Sequence, residues 1–243
     1  MRAALMVPCY VDQFYPAVAD AARRVLERHG CEVVVPKQQT CCGQPMLNSG
    51  FAKETLPVAK HCCKVFADFE YVVCPSGSCT AMVREHYRDL WLDDAKIPRV
   101  FEFCEFLHDV VGVREMDVSF PHRVGIHQGC HGLRELRLAQ PSESFGCATD
   151  KTRALLSLVR DIELVNLDRP DECCGFGGLF AVSEEAVSVG MGRDRVACHE
   201  RAHAEIIASG DMSCLMHLEG IIRREHRAVR VAHVAQILAG DRV

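Results

Sequence analysis

The chain lacks a long apolar run. Nowhere in its 243 residues do about eighteen apolar residues follow one another, which excludes an ordinary membrane-spanning helix. The apolar stretch at its start, before Cys9, is too short for a secretory leader, so the expected compartment is the cytosol, where thiols stay reduced. It lacks an excess of basic charge: 28 Lys and Arg stand against 33 Asp and Glu, giving a net charge of −5 with both signs interspersed. That balance argues against a nucleic-acid surface, and the twelve histidines would change it only below about pH 6.5. There is no Cys-x-x-Cys-x-x-Cys run and no Gly-x-Gly-x-x-Gly opening the first helix, and no Lys-Ser/Thr follows Gly177-Gly178. The signatures of a ferredoxin module, a dinucleotide-binding turn and a phosphate loop are thus all missing.

What the chain has is cysteine: fifteen in 243 residues, an odd number. The density lies below that of small disulfide scaffolds, and a chain this long can bury roughly 70% of its unfolded surface without cross-links. In the cytosol, clustered cysteines read as metal or redox sites. They are arranged twice over. A lone cysteine, Cys9 or Cys130, precedes a Cys-Cys-Gly triplet, Cys41-Cys42-Gly43 or Cys173-Cys174-Gly175. Each triplet is followed by a cysteine-bearing turn, Cys74-Pro75-Ser76-Gly77-Ser78-Cys79 or Asp211-Met212-Ser213-Cys214.

The hydrophobic pattern repeats in step. In the first half, strands are expected at 2–7, 32–35, 71–73 and 99–102, with helices at 16–29, 51–66, 79–87 and 103–111. In the second, strands are expected at 123–126, 163–167 and 205–208, helices at 151–159 and 184–203, and a strand and helix within 229–238. Alternating strands and helices imply right-handed βαβ units. The expected fold is α/β: two pseudo-symmetric Rossmann-like halves with mostly parallel sheets, residues 1–115 and 116–243, packed together.

In such a fold ligands bind beyond the carboxyl ends of the strands, where helix N-termini favour thiolate over thiol. Thirty-one residues lie between Cys9 and Cys41, and thirty-one between Cys42 and Cys74, so each cysteine loop sits one βα unit from the next. Adjacent side chains normally diverge, and using both of a pair at one centre needs an irregular turn, for which Gly43 and Gly175 are suited. Cys9, Cys41, Cys42, Cys74 and Cys79 make five thiols, one more than a structural zinc uses, and five soft ligands suit an iron–sulfur cluster. A zinc site, a regulatory dithiol and buried structural cysteines remain as alternatives.

The doubled pattern resembles the cysteine-rich CCG domain family, found in one chain of heterodisulfide reductase and in the iron–sulfur subunits of glycolate oxidase and anaerobic glycerol-3-phosphate dehydrogenase. The stretches Cys74 to Cys79, Cys173 to Gly178 and Asp211 to His217 are most similar to its lactate-utilisation branch. The resemblance covers almost the whole chain. It implies a cytoplasmic iron–sulfur electron-transfer subunit of an L-lactate-oxidising system, with one or two clusters of 4Fe-4S composition, some relatives using a non-cubane form. Zinc would be a substitute in protein purified in air. Other iron–sulfur and accessory subunits would be the partners, and the isolated chain, with no acid–base constellation of its own for lactate, is expected to be inactive. The alternatives are a heterodisulfide reductase-like thiol/disulfide protein and a glycolate oxidase subunit.

The second half departs from the first: Ser209 stands where Cys74 stands, leaving four thiols, Cys130, Cys173, Cys174 and Cys214. Asp211 is a candidate oxygen ligand or a helix cap. His127, His131 and His217 are candidates for tuning or ligating a centre, weighed against ordinary hydrogen bonding. Cys62-Cys63, without a following glycine, reads as core, and Cys31, Cys104, Cys147 and Cys198 have no counterparts in the other half.

Overall fold

The computed structural model describes residues 1–90, 93, 96–146 and 149–243, so Cys147 lies outside the described residues. The first half runs β1 (Arg2–Leu5), α1 (Cys9–Phe14), α2 (Pro16–Arg28), β2 (Glu32–Val34), α3 (Gln44–Asn48) and α4 (Ala52–Phe66). It continues through β3 (Val72–Cys74), α5 (Gly77–Ala81), α6 (Tyr87–Asp89), β4 (Val100–Glu102) and α7 (Phe103–Glu105). The second half runs β5 (Arg123–Ile126), α8 (Lys151–Leu156), β6 (Glu163–Leu164), α9 (Phe180–Ser183) and α10 (Glu185–Arg201). It ends with β7 (Ile206–Ser209), α11 (Met212–Arg224), β8 (Arg230–His233) and α12 (Val234–Ala239).

Two four-stranded, all-parallel sheets result, ordered β2-β1-β3-β4 and β6-β5-β7-β8, which bears out the expected α/β architecture. The central strands are apolar over most of their length because helices cover both faces: Ala3, Ala4, Leu5, Val72 and Val73 are buried, as are Ile206, Ile207 and Ala208. Between β1 and β3, and between β5 and β7, the chain leaves in opposite directions, and this switch opens a crevice at the carboxyl edge of each sheet.

The halves share one core, in which Leu5 and Val73 of one sheet join Val124, Ile126 and Ala208 of the other. At their junction Ser76 pairs with Asp211 in an isolated antiparallel bridge. These residues hold equivalent places, each three before its turn cysteine, Cys79 or Cys214. Equivalent positions that pair with each other lie on a two-fold axis, so the pseudo-symmetry passes between the two cysteine turns.

The differences from the sequence expectation are local. Cys9 does not merely leave a strand; it opens the short helix α1. Short helices α3 and α9 follow the two Cys-Cys-Gly loops, too brief to show a period. The helix expected at 79–87 starts earlier, at Gly77, because the Ser76 hydroxyl accepts the Cys79 N–H as an N-cap, and it widens into a π turn over Met82–His86. Cys31, Cys62, Cys63, Cys104 and Cys198 are all buried.

Candidate metal centre

The cysteine loops follow the first three strands of each half and meet at the carboxyl edges. In the first set the sulfurs of Cys9 and Cys41 lie 3.7 Å apart, and those of Cys42 and Cys79 3.5 Å apart. Cys41 neighbours Cys42, and Cys74 neighbours Cys79, so the five thiols form a continuous line from Cys9 through Cys41, Cys42 and Cys79 to Cys74. The second set repeats it with Cys130, Cys173, Cys174 and Cys214. Both lines border one cleft: Cys9, Cys42 and Cys79 face it from one half, and Cys130, Cys173, Cys174 and Cys214 from the other. Cys74 is fully buried and does not reach it. The cleft holds about 130 Å³, less than the roughly 300–1,000 Å³ of ordinary ligand pockets, so it has room for a compact group rather than a dinucleotide.

Two adjacent cysteines can serve one line because the following glycine turns the backbone left-handed, with φ of 88° at Gly43 and 89° at Gly175. The turn brings the Gly43 N–H to 3.4 Å from the Cys41 sulfur and the Gly175 N–H to 3.3 Å from the Cys173 sulfur; the Phe176 N–H adds a bond to Cys174 at 3.5 Å. Such N–H groups favour the anionic form of sulfur. Cys41 is held well below the usual thiol range, first by its bond with Cys42 and then by Cys9. Cys173 is held down likewise, first by Cys130 and then by Cys174, and Cys79 first by Cys42 and then by Cys74. Cys42 has one proton and can serve only one of its two neighbours at a time. Cys9, Cys42, Cys74, Cys130 and Cys174 are pushed up, Cys74 chiefly by burial and the others chiefly by the bond to the neighbouring sulfur. In each line the sulfurs held low, Cys41 and Cys79 in the first and Cys173 in the second, are those flanked by two neighbouring sulfurs.

The donor chemistry fits a thiolate-bound metal group. A tetrahedral zinc with Zn–S bonds of about 2.3 Å would draw every pair of its sulfurs to about 3.8 Å. Among the described residues, no three sulfurs of the first set lie within 4.8 Å of one another; the one such group is His127, Cys174 and Cys214 in the second. A line of five sulfurs suits a group with several metal atoms better than a single ion.

Asp211 is the N-cap of α11: its carboxylate accepts the Ser213 N–H at 3.3 Å and the Ser213 hydroxyl at 2.7 Å, while its other oxygen accepts the Ser78 N–H of the opposite half at 2.8 Å. His131 borders the cleft with its ring nitrogen 3.2 Å from the Gln44 amide across the junction. His217 lies outside the cleft, against the Ser188 carbonyl at 3.2 Å. His127 is buried behind the second set, its basicity pushed down to about 3 by burial first and the Arg195 charge second.

Sequence reasoning missed Arg195, fully buried beside His127, and Glu102, buried with its carboxyl pushed up to about 8, chiefly by burial. It also missed Tyr10 and Phe176, whose rings meet edge to face across the cleft, 5.8 Å between centroids. The place of Tyr10 immediately after Cys9, and of Phe176 immediately after Gly175, was the available signal. Arg195 gave none, because a guanidinium in a helix without an apolar stripe reads as solvated.

The CCG cysteine-rich domain model matches residues 3–84 and again residues 124–219. Lactate utilization protein A of Shouchella clausii is 38% identical over 246 residues, spanning 98% of each chain. Lactate utilization protein A of Bacillus subtilis is 36% identical over 245 residues, spanning 98% of this chain and 99% of that one. Among solved structures, glutamate racemase isoform RacE1 from Bacillus anthracis is 10% identical with a TM-score of 0.36, covering 98% of this chain and 78% of that one, a likeness too distant to bear on activity. Two matches to one domain model, falling on the two sulfur lines, agree with full-length relatives: the chain belongs to the CCG cysteine-rich domain family.

Proposed function

We propose that this chain is the iron–sulfur electron carrier of a cytoplasmic L-lactate-oxidising system, working with further iron–sulfur and accessory subunits. The observation that carries the reading is the pair of two-fold-related sulfur lines bordering one narrow cleft, in a chain 38% identical over nearly its whole length to a lactate utilization protein. In this reading residues 1–115 and 116–243 are two cysteine-rich units. Cys9, Cys41, Cys42, Cys74 and Cys79 would hold one group of 4Fe-4S composition, and Cys130, Cys173, Cys174 and Cys214 a second. Such groups supply one-electron transfer at potentials set by their surroundings.

The chain's own part is to hold and tune. The Gly43 and Gly175 N–H groups donate to sulfur and stabilise negative charge there. Tyr10 and Phe176 narrow the cleft from its two sides. Anaerobic loading with iron and sulfide, followed by iron analysis, tests the reading: Cys41→Ser and Cys173→Ser should each lose iron, and the first set, with five thiols rather than four, should be the stronger site. Unchanged iron in both variants would sink it. Deletion of the gene should abolish growth on L-lactate where no other lactate dehydrogenase is present, and normal growth would redirect the substrate to glycolate or a disulfide.

A further inference from the structure

Arg195 in α10 has no exposed surface. Among the described residues no carboxylate lies within ion-pair distance of it. Its guanidinium donates instead to the Arg169 carbonyl, to the Pro170 carbonyl at 3.0 Å, weakly to the Ile126 carbonyl at 3.5 Å and the Cys198 sulfur at 3.9 Å, and through Nε to His127 Nδ1 at 3.0 Å. A guanidinium has donors and no acceptor. Nδ1 of His127 must therefore accept, and the proton of the neutral ring sits on Nε2. That Nε2 is buried and has no hydrogen-bond partner among the described residues. The ring nevertheless brings a nitrogen within 4.8 Å of the sulfurs of both Cys174 and Cys214, and with Nδ1 engaged by Arg195, Nε2 is the nitrogen left to serve them. A buried N–H without a partner is unfavourable, and so is a buried cation whose nearest carboxylates, Glu172 and Asp171, lie beyond ion-pair distance. An anionic second sulfur line would offer the N–H an acceptor and the cation a further counter-charge.

We propose that His127 serves the second cysteine set as a hydrogen-bond donor through Nε2–H, held in that tautomer by Arg195, and is not a metal ligand. A ligand nitrogen must give up its proton, which would require Nδ1 to carry one against an arginine that cannot accept it. Arg195 is a positioning residue, and its charge favours thiolate at nearby Cys174. Counting back three residues from Cys9 and from Cys130 places Met6 where the second half has His127, so the first line lacks this donor. Hydrogen bonds to sulfur and a nearby cation both favour the reduced state of a centre, and the second centre is therefore the easier of the two to reduce.

The tautomer belongs to the metal-free chain; only the effect on potential rests on the iron–sulfur reading. Long-range ¹H–¹⁵N correlation spectra of reduced, metal-free protein, with His127 identified by its loss in His127→Gln, should show the Nε2–H form. The Nδ1–H form would overturn the proposal, and no release of the tautomer in Arg195→Met would remove the arginine from its role. In iron-loaded protein, His127→Leu should keep the iron content while lowering one of the two reduction potentials, and His127→Gln, whose amide can still donate, should recover part of the shift. Iron loss in His127→Leu matching that of Cys174→Ser would mean ligation, and an unmoved potential would also refute the proposal. If the parent chain loads no iron at all, the functional reading fails while the spectra still decide the tautomer.

Discussion

Replacing the two loop glycines by alanine separates backbone conformation from packing at the two sulfur lines. Gly43 and Gly175 share a left-handed backbone, and an L-residue there costs roughly 1–2 kcal/mol. Their surroundings differ. A Cβ on Gly43 would meet one side-chain methyl, Thr55 Cγ2, at 2.9 Å and no backbone atom of another segment within 3.9 Å. A Cβ on Gly175 would lie 2.6 Å from the Ser188 carbonyl oxygen and 2.8 Å from Met191 Cβ. Ser188 belongs to α10, its hydroxyl donates to the Gly175 carbonyl at 2.8 Å, and its carbonyl contacts His217, so the obstacle is fixed. Forcing a carbon into such a place adds about 1–3 kcal/mol. Gly175→Ala should therefore destabilise by about 2–5 kcal/mol, ~5–15 °C in melting temperature for a chain of this length, and Gly43→Ala by about 1–2 kcal/mol. Calorimetry of the reduced, metal-free proteins measures both. An equal or greater loss in Gly43→Ala, or a fall of less than about 2 °C in Gly175→Ala, would refute the packing argument.

Two further outcomes follow from buried carboxylates. Glu102 accepts the N–H groups of Cys104 and Glu105, and its pKa is raised by burial from 4.5 to about 8. The folded state therefore holds its proton more tightly than the unfolded chain: this contribution is fully present below about pH 4.5 and lost as pH rises through about 8. Glu102→Gln should flatten the stability of the metal-free protein across that window by on the order of a few kcal/mol, and an unchanged pH profile in urea unfolding would contradict it. Asp211→Ala removes the α11 cap and strands the Ser78 N–H at the junction of the halves, and it should cost about 2–4 kcal/mol with Asp211→Asn milder; a loss under about 0.5 kcal/mol would show that the junction does not depend on it.

Much of the fold was legible in the chain. The spacing of Val18, Ala22, Val25 and Leu26 marked a helix that buries those residues, and short β-branched runs marked the buried strands of parallel sheets. The duplicated cysteines marked two equivalent sites, because a local turn such as Cys-Cys-Gly is set by neighbouring residues. The short helices α1, α3 and α9 were not legible, since four to six residues span too few turns for an amphipathic period to repeat.

Residue order alone was enough for the alternation of strands and helices, the doubling of the site, and the glycines that let paired cysteines act together. That the two sulfur lines border one cleft emerged only from the folded chain, because nothing local specifies how two halves meet; it follows from a shared core and from Ser76 pairing with Asp211. The partners of the buried polar groups emerged in the same way. Arg195 and His127 are 68 residues apart, and their hydrogen bond arises because α10 packs where β5 ends. The charge of an arginine is written in the sequence, but its burial, and so its effect on the sulfurs, depends on which elements close over it.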